Sequence, residues 1–423
     1  MRKQMLVCVA AALYGMAYAV AAAQTPADAV QAMGKADPRL APFDQLMKQF
    51  LREHELPGAA IAVARGGRLV YARGFGVADR ATKELVRPHA LFRIASISKP
   101  LTAVAVLQLV ERGQVQLDDS VFAVLRLRKP AKGEVRLDPR WKQVTIRHLL
   151  QHRGGWDRDK SFDPMFRSPA IVEELHVKAP ARPEDIIRYM LRRPLDFDPG
   201  SREAYSNFGY CLLGRVIETI SGQSYENYVR KEVLAPLGIR AMRLGATLPD
   251  KRARGEVKYH VPAKATAPAV MGPQLGKPVP LPYGAWCLES MDSHGGWLAS
   301  APELVRFISA FDDPHNCKIL KAKSIDTLFA RPPGAAGKTS DGKPRAAYYA
   351  CGFMVRPAGK TGKANIWHGG SLDGTSTLLV RRHDGLAWAV LFNSRASAKK
   401  KEPAAAIDPL LHQAADAVKD WPR

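Results

Sequence analysis

Residues 92–113, "FRIASISKPLTAVAVLQLVERG", place two serines and a lysine at the start of a long apolar run. The part that follows, "LTAVAVLQLV", is apolar on nearly every side, which is typical of a helix buried in a core. Pro100 is compatible with such a helix because it falls in the first turn. Since helical residues three apart share a face, Ser96 and Lys99 can meet there. The stretch therefore predicts a buried helix that begins beside a serine–lysine pair.

This pair has a chemical and a local interpretation. A lysine at the buried end of an apolar helix loses solvation, which favours its neutral form. A neutral amine can deprotonate a serine, and the N–H groups of a helix N-terminus suit a developing oxyanion. The local alternative is a capping serine with a surface lysine. Two more pairs with the same spacing, Ser340–Lys343 and Ser397–Lys400, lie in polar loops, so only the buried helix favours the chemical interpretation.

The two ends of the chain are predicted to build one sheet. Residues 42–56 repeat apolar positions at helical spacing and predict an amphipathic helix. Alternating apolar runs around turn residues predict two hairpins, and a closing helix follows the second. These elements are residues 58–76 with a turn at Gly66-Gly67, residues 375–393 with a turn at Asp384-Gly385, and residues 407–421. They predict an α+β fold, an α/β sandwich whose antiparallel sheet is flanked by helices from both chain ends, with a mostly helical subdomain inserted.

The N-terminus predicts export. Residues 1–23 are typical of a secretory signal peptide, because Arg2 and Lys3 precede an apolar segment and Ala21-Ala22-Ala23 offers a small-residue cleavage site. The alternative is a membrane anchor, but the apolar stretch is short and interrupted. The mature chain, residues 24–423, is therefore expected to be periplasmic or secreted and to lack an integral membrane segment.

The net charge of +23 falls to +21 when the signal is removed, because two basic residues leave and no acidic residue does. Such a charge usually suggests nucleic acid, but an exported protein rarely meets any. Anionic cell-wall polymers, lipid headgroups or simple solubility explain it better. No nucleic-acid partner is therefore expected.

Four cysteines remain after signal cleavage, in a compartment that permits disulfides. Cys211 and Cys351 sit in apolar surroundings and are interpreted as buried thiols. Cys287 and Cys317 lie in loop-like contexts. The sequence leaves two alternatives for them, a disulfide with each other or two free thiols. The sequence has no zinc-type spacing and no His-Glu-x-x-His, so neither a metal nor another cofactor is expected.

Two downstream motifs carry further polar side chains. Tyr205-Ser206-Asn207 follows a Pro-Gly turn and precedes an apolar helix over residues 208–220. It can present a phenol and an amide, or it can be a packed tyrosine with a helix-capping asparagine. His368-Gly369-Gly370 stands before a predicted strand, where small residues let a substrate lie against the strand edge. The alternative for His368 is a structural histidine beside a tight turn.

Taken in order, Ser-x-x-Lys, Tyr-Ser-Asn and His-Gly-Gly resemble the three active-site motifs of the serine β-lactamase and penicillin-binding protein superfamily. The Tyr-x-Asn form is similar to the class C branch, with its D-alanyl-D-alanine carboxypeptidases, D-aminopeptidases and esterases. Flanking phrases match that branch too, among them "VTIRHLLQHRGGW" (144–156) and "SHGGWLASAPELVRF" (293–307). The resemblance covers about residues 42–395. It implies a β-lactamase/transpeptidase-like catalytic domain over residues 24–423.

The resemblance implies that this domain divides into a sheet subdomain, about residues 40–115 and 285–423, and a helical subdomain, about residues 116–284, with the site in the cleft. It also implies a role for each motif residue. Ser96 is the acylated nucleophile, Lys99 its base and Tyr205 the proton shuttle. The substrate contacts are Asn207 to the substrate amide, His368 and Gly370 in the third motif, and the backbone N–H groups of Ser96 and Ser371 as the oxyanion hole.

One motif departs from the true β-lactamases. His-Gly-Gly replaces Lys-Thr-Gly, so the fixed cation and the hydroxyl that grip a β-lactam carboxylate are missing. A histidine with an ordinary pKa near 6.5 is mostly neutral at pH 7.5 and gains charge toward pH 6. Carboxylate-bearing β-lactams are therefore expected to be poor substrates, and small esters or D-amino-acid amides better ones.

The sequence thus predicts an exported serine hydrolase that cleaves an amide or ester through an acyl-enzyme on Ser96. Its substrate is expected to be a small molecule, peptide or ester, with a cell-wall origin left open. Two alternatives stay open: a true class C-like β-lactamase, and a non-catalytic penicillin- or peptidoglycan-binding protein. The intact set of Ser96, Lys99 and Tyr205 argues against the second, because a binding module has no need for all three.

Overall fold

A computed structural model of the protein describes residues 30–128, 137–359 and 362–422. The predicted signal peptide, residues 1–23, lies outside the described residues. Within the described ranges, no helix has both the length and the apolar character needed to cross a bilayer.

An antiparallel sheet forms the centre of the fold. The strands of the described residues are β1 Ala32–Met33, β2 Gly58–Arg65, β3 Arg68–Asp79, β4 Glu84–Leu85, β5 Phe92–Arg93, β6 Arg243–Leu244, β7 Thr266–Pro268, β8 Pro278–Pro280, β9 Trp297–Ala299, β10 Tyr348–Tyr349, β11 Met354–Pro357, β12 Ala364–Leu372, β13 Thr375–Arg381 and β14 Leu386–Phe392. Nine of them form the central sheet, in the order β1-β3-β2-β14-β13-β12-β11-β10 with β4 paired to β3. Two smaller sheets, β5-β9-β6 and β7-β8, lie outside it.

Both predicted hairpins are confirmed. Gly66 and Gly67, with φ of +53° and +77°, turn β2 into β3, a conformation that glycine adopts without steric cost. Asp384-Gly385 lies between β13 and β14. β14 then pairs with β2 from Leu386↔Arg65 to Phe392↔Ala59, which joins the two ends of the chain in one sheet. The predicted α+β fold with a sheet made from both ends is therefore correct.

Eleven α-helices are present among the described residues. They are α1 Ala41–His54, α2 Ser98–Glu111, α3 Val121–Val124, α4 Ile146–Leu150, α5 Ser168–Leu175, α6 Pro183–Leu191, α7 Asn207–Ser221, α8 Tyr225–Tyr228, α9 Ala301–Ser309, α10 Ala322–Phe329 and α11 Pro403–Ala417. The closing helix α11 begins four residues before its predicted start, because Glu402 caps it by accepting a hydrogen bond from Ala405 N–H and Pro403 occupies the first turn.

The central sheet is covered on both faces. On β2, Ala59, Ile61 and Val63 pack with α1 and α11, whereas Ala60 and Ala62 face the larger core on the other side. Every residue of β2 except Arg65 is buried. Because both faces are covered, the strand is a continuous apolar run rather than an alternating one.

Helix α2 is the buried helix that the sequence predicts after Ser96. Twelve of its fourteen residues are buried, and it packs against α7 and α10. Two of its polar side chains donate to backbone oxygens: Thr102 Oγ1 to Ser293 O at 2.6 Å, and Gln108 Nε2 to Glu232 O and Ile319 O, each at 2.9 Å. Burial of residues 98–109 fixes the position of the first turn of the helix.

Helices α3 to α8 all fall between residues 121 and 228, inside the segment 116–284 that was expected to be mostly helical. The same segment also supplies the short strands β6, β7 and β8. Its separation as a subdomain stays a proposal.

Of the two outcomes left open for Cys287 and Cys317, the structure has the free thiols: all four described cysteines are free. Cys287 is buried, with its Sγ 3.3 Å from Ser290 Oγ. Cys317 lies elsewhere, in a cavity beside Gln108 and Arg112 near the end of α2. The two thiols belong to different parts of the structure, and sequence context alone does not reveal this. Cys211 and Cys351 are buried thiols, as expected.

Candidate active site

Ser96 lies in a tight turn between β5 and α2. The turn residue Ala95 has a φ of +47°, a left-handed conformation that costs about 1–2 kcal/mol for a residue with a Cβ. The surrounding structure holds this turn, since Ile94 N–H donates to Trp297 O at 2.9 Å and Thr377 Oγ1 donates to Ile94 O at 3.0 Å. Ser96 is half-buried while its neighbours on both sides are buried. Ser96 and Ala95 of this turn line the cleft, and Ser96 supplies the hydroxyl.

Lys99 is fully buried directly behind Ser96. Its Nζ lies 3.1 Å from Ser96 Oγ, and it donates to Asn207 Oδ1 at 2.8 Å and to the backbone oxygen of His294 at 3.1 Å. Burial lowers the pKa of Lys99 well below its ordinary value, and the nearby Asp163 carboxylate only partly opposes this. The amine is therefore placed and poised to take a proton from the serine.

Tyr205 faces the same serine from the loop before α7. Its hydroxyl lies close to the Ser96 side chain. Its ring lies 4.7 Å from Lys99 Nζ, and the buried His152 ring packs against it at 4.2 Å. Burial raises the pKa of the Tyr205 phenol, and the nearby Ser96 side chain only partly opposes that rise. The phenol therefore stays protonated near neutral pH and can donate a proton.

Asn207 is the first residue of α7. The helix is capped by Ser206, whose Oγ accepts a hydrogen bond from Gly209 N–H at 3.2 Å, so the asparagine is not the cap. Its side chain lines the cleft instead. Oδ1 accepts from Lys99, and Nδ2 donates to Asp163 Oδ2 at 2.6 Å.

Gly370 lies on β12 where this strand passes the Ser96 turn. A Cβ at this position would lie 2.2 Å from Ile94 O and 3.2 Å from the Ala95 Cβ, so only glycine permits this approach. β11 pairs with β12 only as far as Trp367, whose partner is Met354. Among the described residues, the part of β12 that follows Trp367 therefore has no partner on β11. This edge brings Ser371 and Ser96 into one cleft.

His368 is buried on β12 and does not line the cleft. Its Nδ1 lies 2.6 Å from the backbone oxygen of Gly369, and its Nε2 lies 3.1 Å from the Tyr349 hydroxyl. Because the carbonyl only accepts, Nδ1 carries the proton and Nε2 accepts from Tyr349. Burial lowers the pKa of His368 to about 3. The expectation that His368 gains charge toward pH 6 is therefore wrong, because it assumed an exposed ring.

We expect His368 to stay neutral across the pH range in which the protein is folded and active. In nitrogen-15 NMR of the imidazoles, its ring should show the Nδ1–H tautomer at every pH from 5.5 to 8.5. The exposed ring of His383 gives a solvent-facing imidazole signal for comparison in the same sample. A His368 signal that titrates with a midpoint near 6 would contradict this burial.

The cleft has a volume of about 300 Å³. Its walls combine apolar and cationic side chains beside the serine. They are Ala95, Ser96, Arg158, Phe166, Asn207, Met291, His294, Gly295, Ser371, Leu372, Asp373 and Arg395. Arg395 is paired with Asp373 at 3.2 Å, whereas the Arg158 guanidinium lies 4.8 Å from the Tyr205 ring. The cleft therefore offers both apolar surface and a guanidinium group close to the serine.

The structure brings Ser96, Lys99, Tyr205 and Asn207 together and leaves His368 behind them. Sequence reasoning missed Asp163, His294 and Phe166. In the sequence, Asp163-Pro164 shows only the pattern of a turn. His294 lies in the stretch 293–307 that resembles the family, but that resemblance assigns it no role. Among the described residues, no three His, Cys, Asp or Glu side chains are grouped so that they could hold a metal ion.

A solved structure of the octameric penicillin-binding protein homologue from Pyrococcus abyssi matches 88% of this chain and 77% of that chain, with a TM-score of 0.65 and 25% identity. The fold is therefore that of the penicillin-binding protein and β-lactamase class. The chain itself belongs to the Beta-lactamase family, whose model matches residues 43–412. The resemblance inferred from the three motifs is confirmed.

Curated relatives include an esterase and a penicillin-binding protein. The chain is 34% identical over 268 residues to "Esterase EstB" of Burkholderia gladioli, a match that covers 62% of each protein. It is 30% identical over 276 residues to "Penicillin-binding protein 4" of Amycolatopsis lactamdurans, which covers 64% of this chain and 65% of the relative. The match thus spans less than two thirds of either relative. Family and relatives together support a hydrolase.

Proposed function

We propose that the protein is an exported serine hydrolase that cleaves an amide or ester bond through an acyl-enzyme on Ser96. The observation that carries this proposal is the set of partners around Lys99. Two of them, Asn207 Oδ1 and the His294 backbone oxygen, can only accept hydrogen bonds. A neutral amine gives its two hydrogens to these oxygens, and its lone pair is then left for Ser96 Oγ at 3.1 Å.

Acylation follows from this arrangement. Ser96 Oγ attacks the substrate carbonyl carbon while its proton passes to Lys99 Nζ, and the developing oxyanion is held by the backbone N–H groups of Ser96 and Ser371. Tyr205 then gives its proton to the leaving nitrogen or oxygen, and the bond to the acyl carbon breaks. In the second half, water attacks the acyl carbon and gives a proton to the Tyr205 oxygen, while Lys99 returns its proton to Ser96 Oγ as the bond between Ser96 and the acyl group breaks. Asn207 is proposed to contact the substrate amide.

The neutral, buried His368 supports small esters and D-amino-acid amides as substrates, since it offers no cation to a substrate carboxylate. One observation favours the second candidate, a class C-like β-lactamase. Arg158 lines the cleft beside Tyr205, and its guanidinium can bind a β-lactam carboxylate. The ratio of kcat/KM for a p-nitrophenyl ester to that for a chromogenic cephalosporin decides between them. A cephalosporin value of about 10⁶ M⁻¹s⁻¹ or above would identify a β-lactamase.

The acyl-enzyme itself is tested by labelling. After incubation with a fluorescent penicillin or a fluorophosphonate, proteolysis and mass spectrometry should place the added mass on the peptide that contains Ser96. The non-catalytic alternative predicts a bound penicillin that is lost on denaturation. Label on another serine, or no covalent label with either reagent, would contradict the proposed function.

A further inference from the structure

Asp163 lies behind Asn207, outside the residues that line the cleft. It caps the short 3-10 helix Pro164–Phe166, with Oδ1 accepting a hydrogen bond from Met165 N–H at 3.1 Å. Its other oxygen, Oδ2, accepts from Asn207 Nδ2 at 2.6 Å. The carboxylate therefore ties the loop before α5 to the first residue of α7. None of the three family motifs includes this residue.

The hydrogen bond from Asn207 settles which way its amide points. An amide presents an oxygen at one end and an NH₂ group at the other, whereas a carboxylate only accepts. A flipped amide would put Oδ1 against the Asp163 carboxylate, leaving two acceptors in contact. The observed orientation, with Nδ2 toward Asp163 and Oδ1 toward Lys99, is therefore the favoured one.

The orientation of this amide decides what Lys99 can do. With Oδ1 toward Nζ, the Lys99 amine donates a hydrogen bond to Asn207, and its lone pair stays available for Ser96. With Nδ2 toward Nζ, the amide would donate into that lone pair, and the amine would no longer be free to take the serine proton. We propose that Asp163 is a positioning residue that fixes the Asn207 amide and so directs the Lys99 lone pair at Ser96. This inference rests on the proposed acyl-enzyme function.

Asp163 also sets the charge around Lys99. The carboxylate favours the charged form of the amine, and the Arg158 guanidinium disfavours it. The other groups near Nζ add no fixed charge: the Tyr205 and Tyr210 rings face it, and burial holds the pKa of each neighbouring histidine below its ordinary value. Those histidines are His152, His294 and His368. Loss of the Asp163 charge should therefore lower the pKa of Lys99 further.

The test is Asp163→Asn, which keeps the size of the side chain but removes its charge and its fixed acceptor character. We expect kcat/KM for a p-nitrophenyl ester to fall about 10²-fold, the scale of a misplaced catalytic group. The acid limb of the pH profile, where Lys99 gains a proton, should also move to lower pH. A purely structural role would lower the rate at every pH without this movement.

A double-mutant cycle shows whether Asp163 acts through Asn207. In an Asn207→Ala background, Asp163→Asn should change kcat/KM by less than about threefold, because the amide that it orients is gone. Asp138→Asn is the matched control. Asp138 also precedes a proline and caps a 3-10 helix, Pro139–Gln143, but it contacts Arg140 and Leu195 instead of the site. This variant should keep the wild-type pH profile.

If Asp163→Asn does not fold, Asp163→Ser keeps a capping oxygen for Met165 and is measured in the same way. Wild-type kcat/KM in the variant, a loss without movement of the acid limb, or an undiminished effect in the Asn207→Ala background would each overturn the inference. Failure of the proposed function is distinct, because it would appear as a wild-type protein without covalent label on Ser96.

Discussion

Ser96→Ala is expected to abolish covalent labelling by a fluorophosphonate or a penicillin and to lower ester turnover by about 10⁴–10⁶-fold, as removal of a serine nucleophile does in other hydrolases. The reason is geometric. Ser96 Oγ lies 3.1 Å from the buried Lys99 amine and close to the Tyr205 side chain. The measurement is gel fluorescence after labelling, together with kcat for a p-nitrophenyl ester, with the fold checked by circular dichroism.

Ser340→Ala and Ser397→Ala are the matched controls. Ser340 is exposed in a turn, where Lys343 Nζ pairs with Asp341 at 3.0 Å. Ser397 is the more stringent control, because its Oγ lies 2.8 Å from His54 Nδ1 and so has a potential base of its own. Both variants should label like the wild type, since neither serine lies on a buried helix beside the cleft. Labelling that survives Ser96→Ala would overturn the assignment of the nucleophile.

The parts of the fold that could be predicted are those with a short-range signal. The all-apolar run after Lys99 indicates burial on every side, and α2 is indeed buried, with α7 and α10 packed against it. The glycine pair at 66–67 requires a left-handed turn, so the first hairpin follows from a few residues. The three site motifs are also local sequence patterns. The catalytic and binding roles predicted for their residues came from their resemblance to a known family.

The parts that could not be predicted depend on contacts between distant segments. Asp163 meets Asn207 across 44 positions of the chain, and no local pattern couples the two. The burial of His368 could not be predicted from its neighbours in the sequence. It depends on tertiary contacts, among them the one with the Tyr349 hydroxyl. Likewise, the position of Cys317 beside α2 is a property of the tertiary structure. An ordinary pKa was therefore the wrong starting point for His368.

Tyr205→Phe separates proton donation from packing. Phenylalanine keeps the ring that contacts His152 and Lys99 but lacks the hydroxyl that meets Ser96. If the phenol transfers the leaving-group proton, turnover falls while the folded structure persists. The loss should be smaller for esters with good leaving groups, which need less protonation, than for amides.

Lys99→Met is expected to lower kcat/KM by about 10²–10⁴-fold, the range for loss of a general base, with the fold intact. Methionine fills the same buried space without a charge, so packing at the start of α2 is retained. What disappears is the amine held by Asn207 Oδ1 and His294 O beside Ser96. Addition of small alkylamines should restore part of the activity if a missing base is the cause.

The same substitution reports on the protonation of Lys99. Burial lowers its pKa, so unfolding takes up a proton at any pH between the folded pKa and the ordinary value near 10.4. Wild-type stability should therefore rise with pH across that interval, and the Lys99→Met variant should lack this contribution in urea titrations at several pH values. A surface lysine would show no such difference. Near-native activity in Lys99→Met, together with an unchanged pH dependence of stability, would leave the local interpretation: a helix start with no catalytic base.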